Sequence, residues 1–162
     1  MRSIFGNMPY DESMDMAAKL VEYNPNGTLR STSVHYDAVK AFTLAMGQPV
    51  GADIIKERDL LKMRTKLIEE ETKEAAGETL WEDALGNPVI DKAELTKELA
   101  DLLYVTYGMA VTFGLPIDEV FERVHRSNMS KLGDDGKPIY REDGKVLKGP
   151  NYQPPDLTDL FE

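Results

Sequence analysis

Apolar residues recur at helical spacing in four stretches of the chain, and these stretches predict four α-helices. The first begins at Ser33 and ends where Gly47 and Pro49 follow. The second runs from Glu57 to about Ala76 without a helix breaker. Each stretch carries charged residues between its apolar positions, which is typical of amphipathic helices that share one core.

The third and fourth helices are marked by their ends. Asp91 and Glu94 form a D-x-x-E capping box in front of the third stretch, which ends near Phe113. Gly114 and Pro116 follow, and the apolar pattern resumes from Ile117 to about Met129. The predicted fold class is therefore all-α, with a four-helix core.

The segments outside the helices divide the chain further. Residues 1–32 mix Gly, Pro, Asn and acidic residues and predict an N-terminal arm, with one short helical stretch over 15–22. Residues 81–88 read as a connector. The tail after the fourth helix is rich in turn formers and predicts a short β-hairpin around Asp143-Gly144. We expect an arm at 1–32, one domain at 33–157 and a short C-terminal end at 158–162.

The amino-acid composition limits the partners and the metal ligands that this chain can have. The chain has 162 residues and a net charge of −10, which argues against binding to nucleic acid or to an anionic membrane. It has no cysteine, so a metal must be held by oxygen or imidazole, which favours Mg²⁺, Mn²⁺ or Ca²⁺. No stretch approaches the roughly 18 apolar residues of a membrane span. We expect a soluble, cytoplasmic protein.

Two pairs of acidic residues point to a metal site. Glu71 and Glu74 on the second helix, like Glu98 and Asp101 on the third, are spaced i, i+3, so each pair lies on one helical face. If the two helices pack antiparallel, the pairs face each other. Two unit charges about 4 Å apart repel by roughly 4 kcal/mol at an effective dielectric of about 20, and a divalent cation removes that penalty.

A solvated helix face is the alternative interpretation. Glu70 could form an ordinary surface pair with Lys66 or Lys73. Asp101 fits that interpretation less well, because it lies in an apolar helical run where an acid usually has a partner or a ligand. Considered together, the two acid pairs favour the metal site.

These residues resemble a known family. Glu70-Glu71-x-x-Glu74 and Glu98-x-x-Asp101 are similar to the EExxE and ExxD motifs of the all-α nucleoside triphosphate pyrophosphohydrolases, which include MazG, dimeric dUTPases and phosphoribosyl-ATP pyrophosphohydrolase. Further segments resemble the phosphoribosyl-ATP pyrophosphohydrolase-like branch, and the resemblance covers about residues 34–157. These segments are 39–42, 97–107, the run VHRSNMSK at 124–131 and the run GPNYQPP at 149–155.

The resemblance implies a MazG-like bundle and a metal-dependent reaction. A nucleoside triphosphate and water would give the monophosphate and pyrophosphate, with Mg²⁺, or Mn²⁺ as a substitute, bound by Glu71, Glu74, Glu98 and Asp101. Glu70 would bind a further ion or orient a water. The expected catalytic residues are Glu70, Glu71, Glu74, Glu98 and Asp101, and the expected nucleotide-binding residues are Asn128, Lys131, Lys148 and Tyr152.

Basic and aromatic residues near the C-terminus fit that role. Lys131 and Lys148 belong to a cationic cluster that can hold a triphosphate in an otherwise acidic protein, and both fall in the family-like segments. Tyr152 could stack on a base. Tyr104, at helical spacing, is expected in the core instead.

Two further motifs suggest other metal sites, and neither is complete. Glu122-x-x-His125 suggests a di-iron carboxylate bundle, but that fold needs two such motifs and the chain has only two histidines. We therefore expect His125 to be packed or hydrogen-bonded. The Asp-Gly turns of the tail lack the spacing of an EF-hand loop. A non-catalytic helical scaffold stays open as an alternative function.

The sequence also leads to expectations about the substrate and the oligomeric state. The branch suggests phosphoribosyl-ATP, but we expect one canonical (d)NTP as the substrate. A purine nucleotide such as (d)GTP is preferred among these, because the extra arm and long tail could build a base pocket. We also expect a homodimer or homotetramer, because the helices carry more apolar surface than one small core buries. The residues behind that expectation are Leu102, Leu103, Val105, Val111, Phe113, Phe121 and Val124.

Overall fold

The computed structural model describes residues 33–79, 81–83, 85–87 and 89–161. The predicted arm at 1–32, with its helical stretch, lies outside these residues. The described residues confirm the all-α fold. Their helices, which we label in chain order, are α1 (Val34–Ala45), α2 (Arg58–Gly77), α3 (Lys92–Phe113) and α4 (Ile117–Met129), followed by a 3₁₀ helix at Thr158–Leu160.

Local chemistry explains where the helices begin and end. The Ser33 side chain accepts a hydrogen bond from the Tyr36 backbone N–H and caps α1. The Asp91 carboxylate accepts from the N–H groups of Ala93 and Glu94 and caps α3, as the D-x-x-E pattern predicts. Gly114 ends α3 with a φ of 64°, a left-handed conformation that glycine adopts without strain.

Helices α1, α2 and α3 belong to one compact unit. An added Cβ on Gly108 of α3 would lie 3.1 Å from Nη1 of Arg64 on α2. Glu74, ten residues further along α2, approaches Glu98, ten residues earlier on α3. Residue numbers therefore increase along α2 in the direction in which they decrease along α3. The two helices pack antiparallel, as predicted.

The buried residues of this unit include one charged side chain besides Glu98. Arg64 is 7% exposed, and its Nη2 donates to Oε1 of Gln48 at 2.8 Å. Burial lowers the pKa of this guanidinium because the charged form loses hydration. Gly108 provides the room that the guanidinium occupies. The other buried residues of the unit are Val39, Thr43, Ala75, Ala110, Val111, Thr112 and Phe113.

The second unit contains α4 and the segment that follows it. Arg123 of α4 binds Glu119 and Asp159, and its Nη1 also donates to the Asp156 carbonyl at 2.9 Å. These bonds raise the pKa of Arg123, chiefly through Asp159. The predicted hairpin is present in minimal form, as one antiparallel bridge between Tyr140 and Val146.

Apolar side chains remain exposed on both units. Of the residues behind the oligomer prediction, Val111 and Phe113 are buried, whereas Leu103 and Phe121 are 60% and 67% exposed. The oligomer stays a prediction. Within the described residues no single helix has the length and apolar character to cross a membrane; only the bent pair of α3 and α4, taken together, meets those two criteria.

Candidate functional site

Three carboxylates meet where α2 and α3 pack together. Oxygen atoms of Glu71, Glu74 and Glu98 all lie within 4.8 Å of one another. Glu71 and Glu74 reach the same point because residues three apart share one face of α2. Glu98 is buried, Glu71 is partly buried and Glu74 is exposed. The group, which we call the carboxylate cluster, therefore opens to solvent on the side of Glu74.

One carboxylate oxygen of Glu98 receives no hydrogen bond from the described residues. The residue is 7% exposed, and its Oε1 accepts from Nζ of Lys97 at 2.7 Å. Its Oε2 is buried and has no hydrogen-bond partner among the described residues. A buried charged oxygen without a partner is destabilising, and a divalent cation bound in the cluster would satisfy it.

The pKa of Glu71 is raised by its surroundings. Partial burial is the largest cause, and the charges of Glu74, Asp101 and Glu98 act in the same direction. Only Lys97 opposes them among the charges that shift this group. The raised pKa means that packing the ionised acids together costs free energy, which a bound cation would recover.

Asp101 lies beside the carboxylate cluster and forms an ion pair. Its Oδ2 is 3.1 Å from Nζ of Lys97, and its side chain is 45% exposed. Lys97 thus bridges Asp101 and Glu98, and the two carboxylates raise the pKa of the ammonium group. Sequence reasoning missed this role of Lys97. The available signal was its position one residue before Glu98 and four before Asp101.

Lys97 is expected to compete with a metal ion for the acids of α3. Lys97→Met should make the metal-free protein less stable and strengthen Mn²⁺ binding by about two- to fivefold, the scale of a partly exposed ion pair. Thermal melts over a Mn²⁺ titration measure both effects. Lys92→Met, at the exposed start of α3, is the control. An unchanged Mn²⁺ dependence in Lys97→Met would show that Lys97 does not compete.

Glu70 lies outside the carboxylate cluster. Its Oε1 is 3.4 Å from Nζ of Lys66, one turn earlier on α2, and its side chain is 46% exposed. This is the surface pair that the sequence offered as an alternative. Its role toward a further ion or a water stays a prediction.

The donor set of the cluster fits a hard divalent cation. Its ligand atoms are carboxylate oxygens from two rigid helices, the donors that Mg²⁺ and Mn²⁺ prefer. The exposed side leaves room for the waters that Mg²⁺ retains. The unpartnered oxygen of Glu98 and the raised pKa of Glu71 are both consistent with a site that is relieved by positive charge.

The predicted nucleotide-binding residues lie together in the second unit. Nζ of Lys131 donates to Oδ1 of Asn128 at 2.7 Å, and Nζ of Lys148 lies 4.1 Å from the ring centroid of Tyr152. A hydrogen bond with Ser127 lowers the pKa of Tyr152, and the charges of Lys148 and Lys131 act in the same direction. Two ammonium groups, an amide and a phenol suit a phosphate chain.

Gly149 brings the tail to the end of α4. Its N–H donates to the Lys131 carbonyl at 2.9 Å. A Cβ on Gly149 would overlap the carbonyl oxygen of Leu132 and lie 2.7 Å from that of Lys131. Only glycine allows so close an approach, and it places Lys148 and Tyr152 against Lys131.

Two side-chain environments differ from those predicted. Tyr104 was expected in the core but is 42% exposed, and its ring lies edge-on to Phe42 with the ring centroids 5.7 Å apart. His125 was expected to be packed or hydrogen-bonded, yet it is exposed and its imidazole forms no hydrogen bond with the described residues. In each case helical spacing identified the helix without fixing which neighbours cover that face.

The family model for phosphoribosyl-ATP pyrophosphohydrolase matches residues 39–128. That match covers more than half of the chain and includes all five predicted acids. The chain belongs to the phosphoribosyl-ATP pyrophosphohydrolase family. The resemblance drawn from the acid motifs is thereby confirmed.

Two individual proteins are also similar to this family member. Uncharacterized protein L479 of Acanthamoeba polyphaga mimivirus is 31% identical over an alignment that covers 43% of this chain and 40% of L479. The matched part thus spans about two fifths of that relative's length. A crystal structure of a proposed NTP pyrophosphohydrolase from Exiguobacterium sp. 255-15 is 27% identical, with 76% of this chain and 89% of that chain covered and a TM-score of 0.38.

Proposed function

We propose that the protein is a metal-dependent nucleoside triphosphate pyrophosphohydrolase that converts a (d)NTP and water to the (d)NMP and pyrophosphate. The observation that carries the proposal is the carboxylate cluster, in which three acids from two helices converge within 4.8 Å in a member of this family. A solvated helix face gives no reason for one of them to be buried with an unpartnered oxygen.

Glu71, Glu74, Glu98 and Asp101 would hold Mg²⁺, with Mn²⁺ as a substitute. Bound there, the ion supplies a more acidic water and neutralises charge on the departing pyrophosphate. Glu98 is fixed by burial, so it would set the position of the ligand group. Asp101 would become a metal ligand once its ion pair with Lys97 is broken.

The remaining residues would act on the substrate. Water attacks the α-phosphorus, the bond from that phosphorus to the bridging oxygen breaks, and pyrophosphate leaves. Glu70 would orient the water. Lys131 and Lys148 would bind phosphate oxygens as point charges, while Asn128 and Tyr152 would contact the nucleotide.

The substrate is proposed to be a canonical nucleotide with a purine base, such as (d)GTP. Phosphoribosyl-ATP is the alternative, because the matching family model is named for that reaction. A non-catalytic scaffold is the second alternative, and the absence of any stabilisation by divalent metal would favour it. Residues 33–157 would form the functional domain, active in the cytoplasm as a homodimer or homotetramer.

Activity is expected to require Mg²⁺ or Mn²⁺ and to disappear when the metal is chelated, whereas stability falls only modestly. The helical core does not depend on the ion for its packing, so the metal adds only the stabilisation due to binding. A panel of nucleoside triphosphates and phosphoribosyl-ATP, assayed for pyrophosphate release with and without chelator, measures this and ranks the substrates. Hydrolysis at an unchanged rate in chelator would disprove the role of the carboxylates.

A further inference from the structure

The connector between α2 and α3 is a turn closed by hydrogen bonds, and it carries the chain's only tryptophan, Trp81. Trp81 accepts a backbone hydrogen bond from Val89 at 2.9 Å, and Asp83 N–H donates to the Asn87 carbonyl at 2.9 Å. The Asp83 carboxylate accepts from the backbone N–H groups of Leu85 and Asn87 and from the Asn87 side chain. These bonds lower the pKa of Asp83, so the turn is held by a stable anion.

A cavity of about 330 Å³ lies against this turn. Trp81 is 63% exposed and Val89 is 49% exposed, so apolar surface at the cavity is open to a ligand. Among the described residues of the wall, the side chains other than Trp81 and Val89 are acidic. The described residues that line the cavity are Glu78, Trp81, Glu82, Val89 and Asp91.

The three acids are not equivalent. Asp91 is engaged as the cap of α3 through two backbone N–H groups. The carboxylates of Glu78 and Glu82 have no hydrogen bond or ion pair among the described residues. The cavity therefore offers a flat aromatic face beside two ionised groups that can only accept hydrogen bonds.

The cavity lies in the same unit as the carboxylate cluster, between the C-terminal end of α2 and the N-terminal end of α3, the two helices that carry the cluster. Glu78 follows Glu74 by four residues and Asp91 precedes Glu98 by seven, which is roughly 6 Å and 10 Å along the helix axes at 1.5 Å per residue. A nucleotide bound at the cluster by its phosphates would have its base within reach of Trp81.

We propose that this cavity, the Trp81 pocket, binds the base of the nucleotide and selects guanine. The inference rests on the proposed function for the phosphate end of the site, but the pocket itself can be tested without hydrolysis. Stacking on an indole suits any base, since every base has a π-face. Selection comes from the carboxylates of Glu78 and Glu82.

Guanine matches two acceptors better than the other bases do. Its N1–H and N2–H₂ groups are adjacent donors and can bind one carboxylate through two hydrogen bonds. On their pairing edges adenine and cytosine set one amino group beside a ring acceptor, and thymine sets one N–H between two carbonyls. Each of these three bases would turn an acceptor toward an anion, which is repulsive.

The fluorescence of Trp81 reports on binding at this pocket, because the chain has no other tryptophan. Titrating the purified protein with guanosine, adenosine, cytidine and thymidine should quench the indole fluorescence, corrected for absorption by the base. Guanosine should half-saturate at a concentration about tenfold below the others, the scale of one good pair of hydrogen bonds. The double variant of Glu78→Gln and Glu82→Gln should lose that preference, and Glu142→Gln should keep it.

Turnover gives the second readout. Trp81→Leu should raise KM for the preferred triphosphate about tenfold, and Trp81→Phe, which keeps a ring, should restore most of the loss. Hydrolysis without quenching by any nucleoside would overturn the pocket and leave the proposed activity standing. Quenching selective for guanosine without hydrolysis of any triphosphate would overturn the proposed activity and leave the pocket standing. Equal quenching by all four nucleosides, or quenching only by a cation such as arginine amide, would also overturn the inference.

Discussion

Asp101→Asn and Glu71→Gln are each expected to lower turnover of the nucleoside triphosphate at least about a hundredfold, a reasonable share of what a metal contributes. Each substitution keeps the size and much of the hydrogen-bonding capacity of the side chain but removes one negative charge. Loss of a proposed ligand should also reduce the rise in melting temperature that Mn²⁺ produces. Steady-state pyrophosphate release and thermal melts with and without Mn²⁺ measure the two effects.

The two variants should differ in the absence of metal. The pKa of Glu71 is raised by burial and by its acidic neighbours, so this group favours folding when protonated and opposes it as pH rises through that pKa. Glu71→Gln should therefore be more stable than the wild type at neutral pH. Asp101→Asn should gain little, because Asp101 already pairs with Lys97.

Glu142→Gln is the control for both variants, since Glu142 is an exposed acid of the tail turn. It should change neither turnover nor the response to Mn²⁺. Wild-type turnover in Asp101→Asn, together with full stabilisation by Mn²⁺, would remove Asp101 from the site. The same result for Glu71→Gln would leave the carboxylate cluster without a catalytic role.

The helices were predictable because their signals are local. Ser33 and Asp91 cap helices through their own side chains, and Gly114 ends α3 in a conformation that suits glycine. The meeting of Glu71 and Glu74 with Glu98 followed from the same regularity, since i, i+3 spacing on two antiparallel helices leaves few other arrangements, whereas Asp101 lies beside them and pairs with Lys97. Short-range geometry was therefore sufficient for the framework of the candidate site.

The remaining features depend on contacts that spacing does not encode. Lys97 reads as a surface lysine, and only the structure shows that it reaches Glu98 and Asp101 together. The connector reads as a loop, but the side chain of Asp83 closes it into a turn that exposes Trp81. Both cases require the direction of a side chain, which the position along a helix or loop leaves open.

Gly149 shows how a backbone contact can control the positions of side chains in a proposed binding surface. A helix-period pattern says nothing about the tail, and sequence similarity marks Gly149 only as one letter of the GPNYQPP run. The physical reason is steric, because the tail meets carbonyl oxygens of Lys131 and Leu132 at a distance that excludes a side chain. Lys148 and Tyr152, on either side of this contact, depend on it for their positions.

Gly149→Ala is expected to raise KM for the triphosphate about tenfold or more, because losing a charge-assisted contact to phosphate has an effect of that size. The added Cβ must push the tail away from Lys131 and Leu132, which breaks the Gly149 N–H bond and separates Lys148 and Tyr152 from Lys131. Stabilisation by Mn²⁺ should persist, since the carboxylate cluster lies in the unit of α1 to α3. Gly77→Ala is the matched control, because a Cβ there meets nothing within 4 Å. A folded Gly149→Ala protein that responds to Mn²⁺ and keeps the wild-type KM would show that this tail segment does not hold the nucleotide.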